Sequence, residues 1–241
     1  MCTLKSAQNH AQWLLSPEGR LWLAQKKGLL ELLLSGWPRR GHNVLEVGCG
    51  SGLFLGKLWE AGLDPTGLED SPALLDSARN HMGSKVDLHL ARYTELPFDN
   101  EEFDYVALIS TLDFISDPEP VLVEACRVAR HGLLVLFNNV WSAAGLWKKM
   151  RRGPEHTREL SYLSPLSMFS LLREITGRNT CYFRTTLLAP PSLWRENAPF
   201  SFINCSLSLL PFGALAGVRI DLAPAPTGTF LSLPVESPDP V

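Results

Sequence analysis

Three glycines fall within five positions of the stretch VLEVGCGSG, residues 44–52, directly behind an apolar run. Val44, Leu45 and Val47 favour a buried strand, while Leu53, Phe54, Leu55 and Leu58 recur at helical spacing, so the glycines make the turn from strand to helix. Glycine reaches backbone angles closed to other residues and leaves the main chain bare, which lets a ligand lie against N–H groups at a helix start. A chain built around such a turn folds as an open α/β sheet whose ligand crevice lies at the carboxyl ends of the strands.

The remaining pattern agrees. Residues 18–35 read as a helix, with Leu21, Leu29, Leu32 and Leu33 at helical spacing, ended by Gly36, Pro38 and Gly41. Strands are expected at 43–47, 65–69, 86–90, 103–109 and 133–137, and helices at 53–61, at 71–81 behind Ser71, and at 117–128. Strand, helix, strand in repeated order implies parallel pairing through right-handed crossovers, hence a doubly wound sheet with helices on both faces. After residue 138 the rhythm loosens. Helices are expected at 142–152 and at 164–176, the latter with Ser164 as cap and Pro165 in first position, and strands at 180–187 and 213–221. Residues 222–241 contain five prolines and read as a tail without a core of its own.

Composition narrows the function classes. A net charge of -3 disfavours a general nucleic-acid grip. The five cysteines form no C-x-x-C pair, so neither a disulfide framework nor a metal site is indicated, and a reducing compartment is expected. The first ten residues are polar and no secretory pattern follows, which points to the cytoplasm. Residues 197–218 carry no charge, but Pro199, Asn204, Pro211, Gly213 and Gly217 suit a buried loop and strand better than a membrane span.

A dinucleotide site would place the third glycine of G-x-G-x-x-G at position 53, which is Leu53. The pattern is instead E-x-G-x-G-x-G. With it, "TGLEDSPALLDSAR" at 66–79, "ARYTELPFDNEEFDYV" at 91–106, "DPEPVLVEACRVARHGLLVL" at 117–136 and "WLLSPEGRLW" at 13–22, the chain resembles the class I S-adenosylmethionine-dependent methyltransferases of small molecules. The resemblance runs over residues 11–138 and implies a Rossmann-like, mostly parallel sheet of seven strands with an antiparallel last strand. It implies one domain over 1–221, divided into an N-terminal helical cap at 1–40, a cofactor-binding core at 41–138 and acceptor-side elements with an insertion at 139–212.

The cofactor implied is S-adenosylmethionine, with Glu46, Gly48, Cys49, Gly50, Gly52, Glu69, Asp70, Arg92, Tyr93, Thr94 and Ser110 on its side of the crevice. Glu69, about twenty residues beyond the glycine turn, is a carboxylate able to accept both ribose hydroxyls. Glu46 either orients the methionine amine or supports the turn through backbone N–H groups. At Arg92 many relatives carry an acid, so this residue either stacks on the adenine or is a surface residue, with the Tyr93 backbone free to read the base edge. Cys49 reads as a small buried side chain.

Transfer from a sulfonium needs alignment and dryness more than acid–base groups, and no Ser-His-Asp set is visible. Were a general base required, the candidates are Asp113, which also fits as a helix-start acid, and His10. The segment ISTLDF at 109–114 stands where amide-methylating relatives have Asn-Pro-Pro-Tyr, and no Pro-Cys nucleophile is present. The run KKMRR at 148–152, with Arg158, either steers an anionic acceptor or forms a solvated helix face. Trp141, Trp147, Phe169, Trp194, Phe200 and Phe202 suit an apolar acceptor pocket or simple core packing. The expected partner is a small-molecule methyl acceptor. The rival readings are an aminopropyl transferase on the same sheet and a non-catalytic adenosyl-binding protein.

Overall fold

The computed structural model describes residues 13–146, 163–177, 179–189, 194 and 207–222. Helix α1 (Pro17–Leu34) starts where Ser16 accepts the Gly19 N–H on its Oγ at 3.0 Å and Pro17 presets the first turn. Its buried stripe, Trp22, Lys26, Leu29, Leu30 and Leu33, follows steps of three and four. Then come β1 (Asn43–Val47), α2 (Leu53–Glu60), β2 (Asp64–Glu69), α3 (Pro72–Met82), β3 (Asp87–Leu90), β4 (Phe103–Ile109), α4 (Glu119–Val128), β5 (Ala129–Asn138), α5 (Pro165–Thr176), β6 (Thr180–Thr186) and β7 (Leu215–Asp221).

The seven strands form one sheet in the order β3-β2-β1-β4-β5-β7-β6. All adjacent pairs are parallel except those of β7, which runs antiparallel to both β5 and β6. Beside β1 the order reverses: β2 lies on one side, β4 on the other, and the crevice opens at their carboxyl ends. Because both faces are covered, the central strands are apolar on both. Leu134 and Leu136 of β5 pack with Tyr105, Ala107 and Ile109 of β4 against α1 and α2. Leu133, Val135 and Phe137, with Val106 and Leu108, pack against α4 and α5. At the other end of the sheet the Trp37 indole stacks on Tyr105 with centroids 4.3 Å apart and donates to Asp221 Oδ1 at 2.6 Å, joining the loop after α1 to the end of β7.

Several boundaries differ from the pattern-based expectation. Strand β5 starts at Ala129 rather than 133, because exposed Arg130 and His131 interrupt the apolar run while the backbone already pairs Gly132 with Asp221. Helix α4 begins two residues late, with Pro118 in the cap position. A 3₁₀ turn at Thr111–Phe114 was not foreseen. Ser71 stands at the cap of α3, but its side chain makes no capping bond, and its N–H goes to Glu69 instead. Of the helix expected at 142–152, residues 143–146 are helical and the part from 147 lies outside the described residues, as do KKMRR, Arg158 and the tail beyond 222.

Candidate active site

The glycine turn is held from below by β2: the N–H groups of Gly48 and Cys49 both donate to Leu68 O, at 2.7 and 3.1 Å. Gly48, Gly50 and Gly52 all have positive φ, yet they serve different ends. A Cβ on Gly48 would run into Thr111, whose Oγ1 donates to Val47 O at 2.6 Å and ties the 3₁₀ turn to the end of β1. On Gly50 a Cβ would meet nothing within 4 Å among the described residues. Its bareness answers no packing demand of the protein, and it leaves main chain open to a ligand.

Glu69 at the end of β2 closes the crevice's other side. It is 3% exposed; Oε2 accepts the Gly50 N–H at 2.8 Å and Oε1 accepts the Ser71 N–H at 3.2 Å. The Tyr93 hydroxyl lies 2.7 Å from Glu69 Oε1 and 3.0 Å from Asp70 Oδ1, one proton shared between two acceptors. Burial pushes the Glu69 carboxyl above its ordinary range, against the pull of these donors. Burial and the adjacent Glu69 hold the Tyr93 phenol firmly protonated. Arg92 and Thr94 are exposed beside this cluster.

Glu46 is 1% exposed, and its Oε2 has no hydrogen-bond partner among the described residues. Burial raises its carboxyl well above the usual value, with Lys26 opposing and Glu69 adding. Cys49 is buried, and desolvation with the nearby Glu46 and Glu69 pushes its thiol up, so a reactive thiolate is disfavoured. Asp113 is 1% exposed with both oxygens engaged by Asn138: Oδ1 accepts its N–H at 2.8 Å and Oδ2 its Nδ2 at 2.7 Å. Its carboxyl is pushed up to about 6, chiefly by burial, while the Asn138 donors and Lys26 work against that rise. His10 lies outside the described residues.

Two groups escaped the reading of motifs. Lys26 donates to the Oγ of Ser110, which sits at the end of β4 with φ 64, and Thr111 bridges β4 to β1. The signal for Lys26 was a cation on the apolar stripe of α1. Of the aromatics, Phe169 packs on Phe183 with centroids 5.2 Å apart, and Trp194 is 6% exposed with its indole donating to Ala189 O, so both are core. Trp147, Phe200 and Phe202 lie outside the described residues. No group of His, Cys, Asp or Glu among the described residues is arranged to hold a metal. A cavity of about 650 Å³ lined by Trp37, Arg39, Arg40 and Glu60 lies between the loop before β1 and the end of α2, at the opposite ends of the strands from the glycine turn.

Residues 45–137, from β1 to β5, match the profile of the methyltransferase domain family. The sheet that carries this match has the fold of the class I S-adenosylmethionine-dependent methyltransferases. Over 104 residues this domain is 33% identical to a ubiquinone biosynthesis O-methyltransferase of Aromatoleum aromaticum and 32% identical to one of Hahella chejuensis, covering 42% of this chain and 44% of each relative. The chain thus spans less than half the length of the curated relatives it matches. The methyltransferase fold extends further than the sequence match. A SAM-dependent methyltransferase from Thermotoga maritima superposes with TM-score 0.73 at 22% identity, covering 91% of this chain and 97% of that one. Another from Methanosarcina mazei gives 0.60 at 17%, covering 80% and 98%. No helix among the described residues is long and apolar enough to cross a membrane.

Proposed function

We propose that the protein transfers a methyl group from S-adenosylmethionine to a small-molecule acceptor. The observation that carries this reading is Gly50: open main chain at positive φ, its N–H 2.8 Å from the strand-end carboxylate of Glu69. The donor set fits an adenosyl sulfonium, whose contribution is a methyl group already bonded to a good leaving group. Glu69 accepts the ribose hydroxyls; when the Tyr93 proton turns to Asp70, Oε1 is released for a second hydroxyl. Glu46 Oε2, buried and without a hydrogen-bond partner among the described residues, takes the ammonium of the amino-acid end. Asp113, bound on both oxygens by Asn138, serves better to hold the turn after β4 than to take the acceptor's proton. The names of the curated relatives favour an oxygen acceptor. The Thermotoga maritima structure is named a possible histamine N-methyltransferase, so the acceptor panel includes amines as well as hydroxyls. Neither the aminopropyl transferase nor the non-catalytic reading gains a specific observation.

Calorimetry with S-adenosylhomocysteine tests the reading. Micromolar binding is expected for the wild type, with a loss of about a hundredfold in Glu69→Ala, the scale of removing a charged multi-bond acceptor. Release of S-adenosylhomocysteine over a panel of hydroxylated and amine metabolites then establishes turnover. Absence of binding to the wild type would refute the assignment.

A further inference from the structure

The chain from β3 to β4, residues 91–102, has no helix or strand of its own, and holding so long a connection in one shape costs conformational entropy. Its crevice-side half is nevertheless tied down at both ends. At the first, the Ala91 N–H donates to Glu69 O at 3.2 Å. At the second, Leu96 is 4% exposed, its N–H donating to Glu124 Oε2 at 2.8 Å and its carbonyl accepting from Arg127 Nη2 at 3.0 Å. Tyr93 stands between these ties, its hydroxyl on Glu69 and Asp70. Glu124 and Arg127 are neighbours on one face of α4 and close a fork: Nε lies 2.7 Å from Oε1, and Nη2 lies 2.8 Å from Oε2. Arg127 Nη1 donates to Phe98 O and to Asn100 Oδ1, each at 2.9 Å. All five guanidinium N–H groups are therefore engaged, and three of the five bonds run to the connection and none to the crevice. A half-exposed ion pair at helical spacing adds little to stability by itself. What this pair fixes is the path of a loop.

We propose that Arg127 and Glu124 are positioning residues for the cofactor: they hold Leu96, Leu96 sets the place of Tyr93, and the Tyr93 hydroxyl keeps the Glu69 carboxylate aimed at the ribose. The proposal rests on the cofactor assignment above. The links are short. The Glu95 N–H donates to Arg92 O at 3.3 Å, so the chain turns tightly between Tyr93 and Leu96, and a displacement of Leu96 moves Tyr93 with it. The phenol reaches Glu69 Oε1 at 2.7 Å, and a bond of that length is lost once the donor moves by about an ångström. Without it, Oε1 is ordered only by the backbone N–H groups of Asp70 and Ser71, at 3.1 and 3.2 Å. The missing order then has to be supplied when the ligand binds, at a cost in affinity. Helix α4 thus takes part in binding without touching the ligand.

Calorimetry on the full-length chain with S-adenosylhomocysteine and with 5′-methylthioadenosine, which lacks the amino-acid end, tests this. Arg127→Met is expected to weaken both ligands by about tenfold and to the same extent, because the defect lies at the ribose they share. Arg127→Lys keeps the charge but not the fork, and is expected to recover little of the loss. A double-mutant cycle separates positioning from general loosening of the fold. Tyr93→Phe is expected to change S-adenosylhomocysteine affinity by at least about threefold in the wild type and to have no effect in Arg127→Met, since both changes break one chain of contacts. Wild-type affinity in a folded Arg127→Met, loss for S-adenosylhomocysteine alone, or a Tyr93→Phe effect that is absent from the wild type or equal in both backgrounds overturns the proposal. Should Arg127→Met not fold, Glu124→Gln, which keeps the side chain's shape and weakens the fork, carries the same comparisons. Any of these failures with ligand still bound to the wild type leaves the cofactor assignment standing, whereas no adenosyl binding to the wild type removes both.

Discussion

Burial holds the Lys26 ammonium down to about 8, with Asp113 and Glu46 resisting. An unfolded lysine titrates near its ordinary value of 10.5, so between these values the unfolded chain binds more protons than the folded one, and stability contributed through Lys26 rises with pH. Urea midpoints of wild type and Lys26→Met, followed from pH 7.5 to 10.5, should diverge in the wild type's favour by up to about 3 kcal/mol. A flat difference would mean that the ammonium is well hydrated. Gly50→Ala tests a different single-residue demand. At φ 56 a side chain costs about 1 kcal/mol, a small loss in melting temperature, but the methyl group enters the space proposed for the ligand. Calorimetry should therefore show S-adenosylhomocysteine affinity falling further than stability does.

Among the elements, α1 depends most on its packing. Leu29 and Leu30 are almost fully buried, Leu29 beside Gly217 of β7, and Leu29→Ala should cost about 2–5 kcal/mol in chemical denaturation, the range for an unfilled core position. A smaller loss would mean that the helix settles into the cavity. This helix was legible in the sequence from its leucine spacing, with the Ser16–Pro17 start missed by one residue, and the turn at 48–52 was legible because three glycines have few other uses. Strand β5 was read short for a physical reason: Ala129, beyond the exposed Arg130 and His131, still pairs with Phe103 of β4, and side-chain polarity says nothing about backbone bonds. The site was legible in part. Glu69 follows from its distance to the glycines, but the Tyr93 hydroxyl on Glu69 and the Asn138 bracket around Asp113 join residues 24 and 25 positions apart, which no local pattern encodes.

Across the whole molecule, the two ends of the strands are separate in role. One carries the crevice; the other carries the Trp37–Asp221 tie, in which Arg219 also bonds Leu33 O and Asp221. Trp37→Phe removes the 2.6 Å hydrogen bond and should cost about 1–2 kcal/mol of stability while leaving S-adenosylhomocysteine affinity at the wild-type level. A parallel fall in affinity would show that the sheet transmits strain between its ends. Helix α1 spans this division, for the side that cements it to the sheet also carries Lys26 to Ser110 at the carboxyl end of β4. Any replacement of that cation is therefore made in the foundations: it must also fill the place beside Trp22 and Phe54, and variants at this position will be sorted first by whether they still fold.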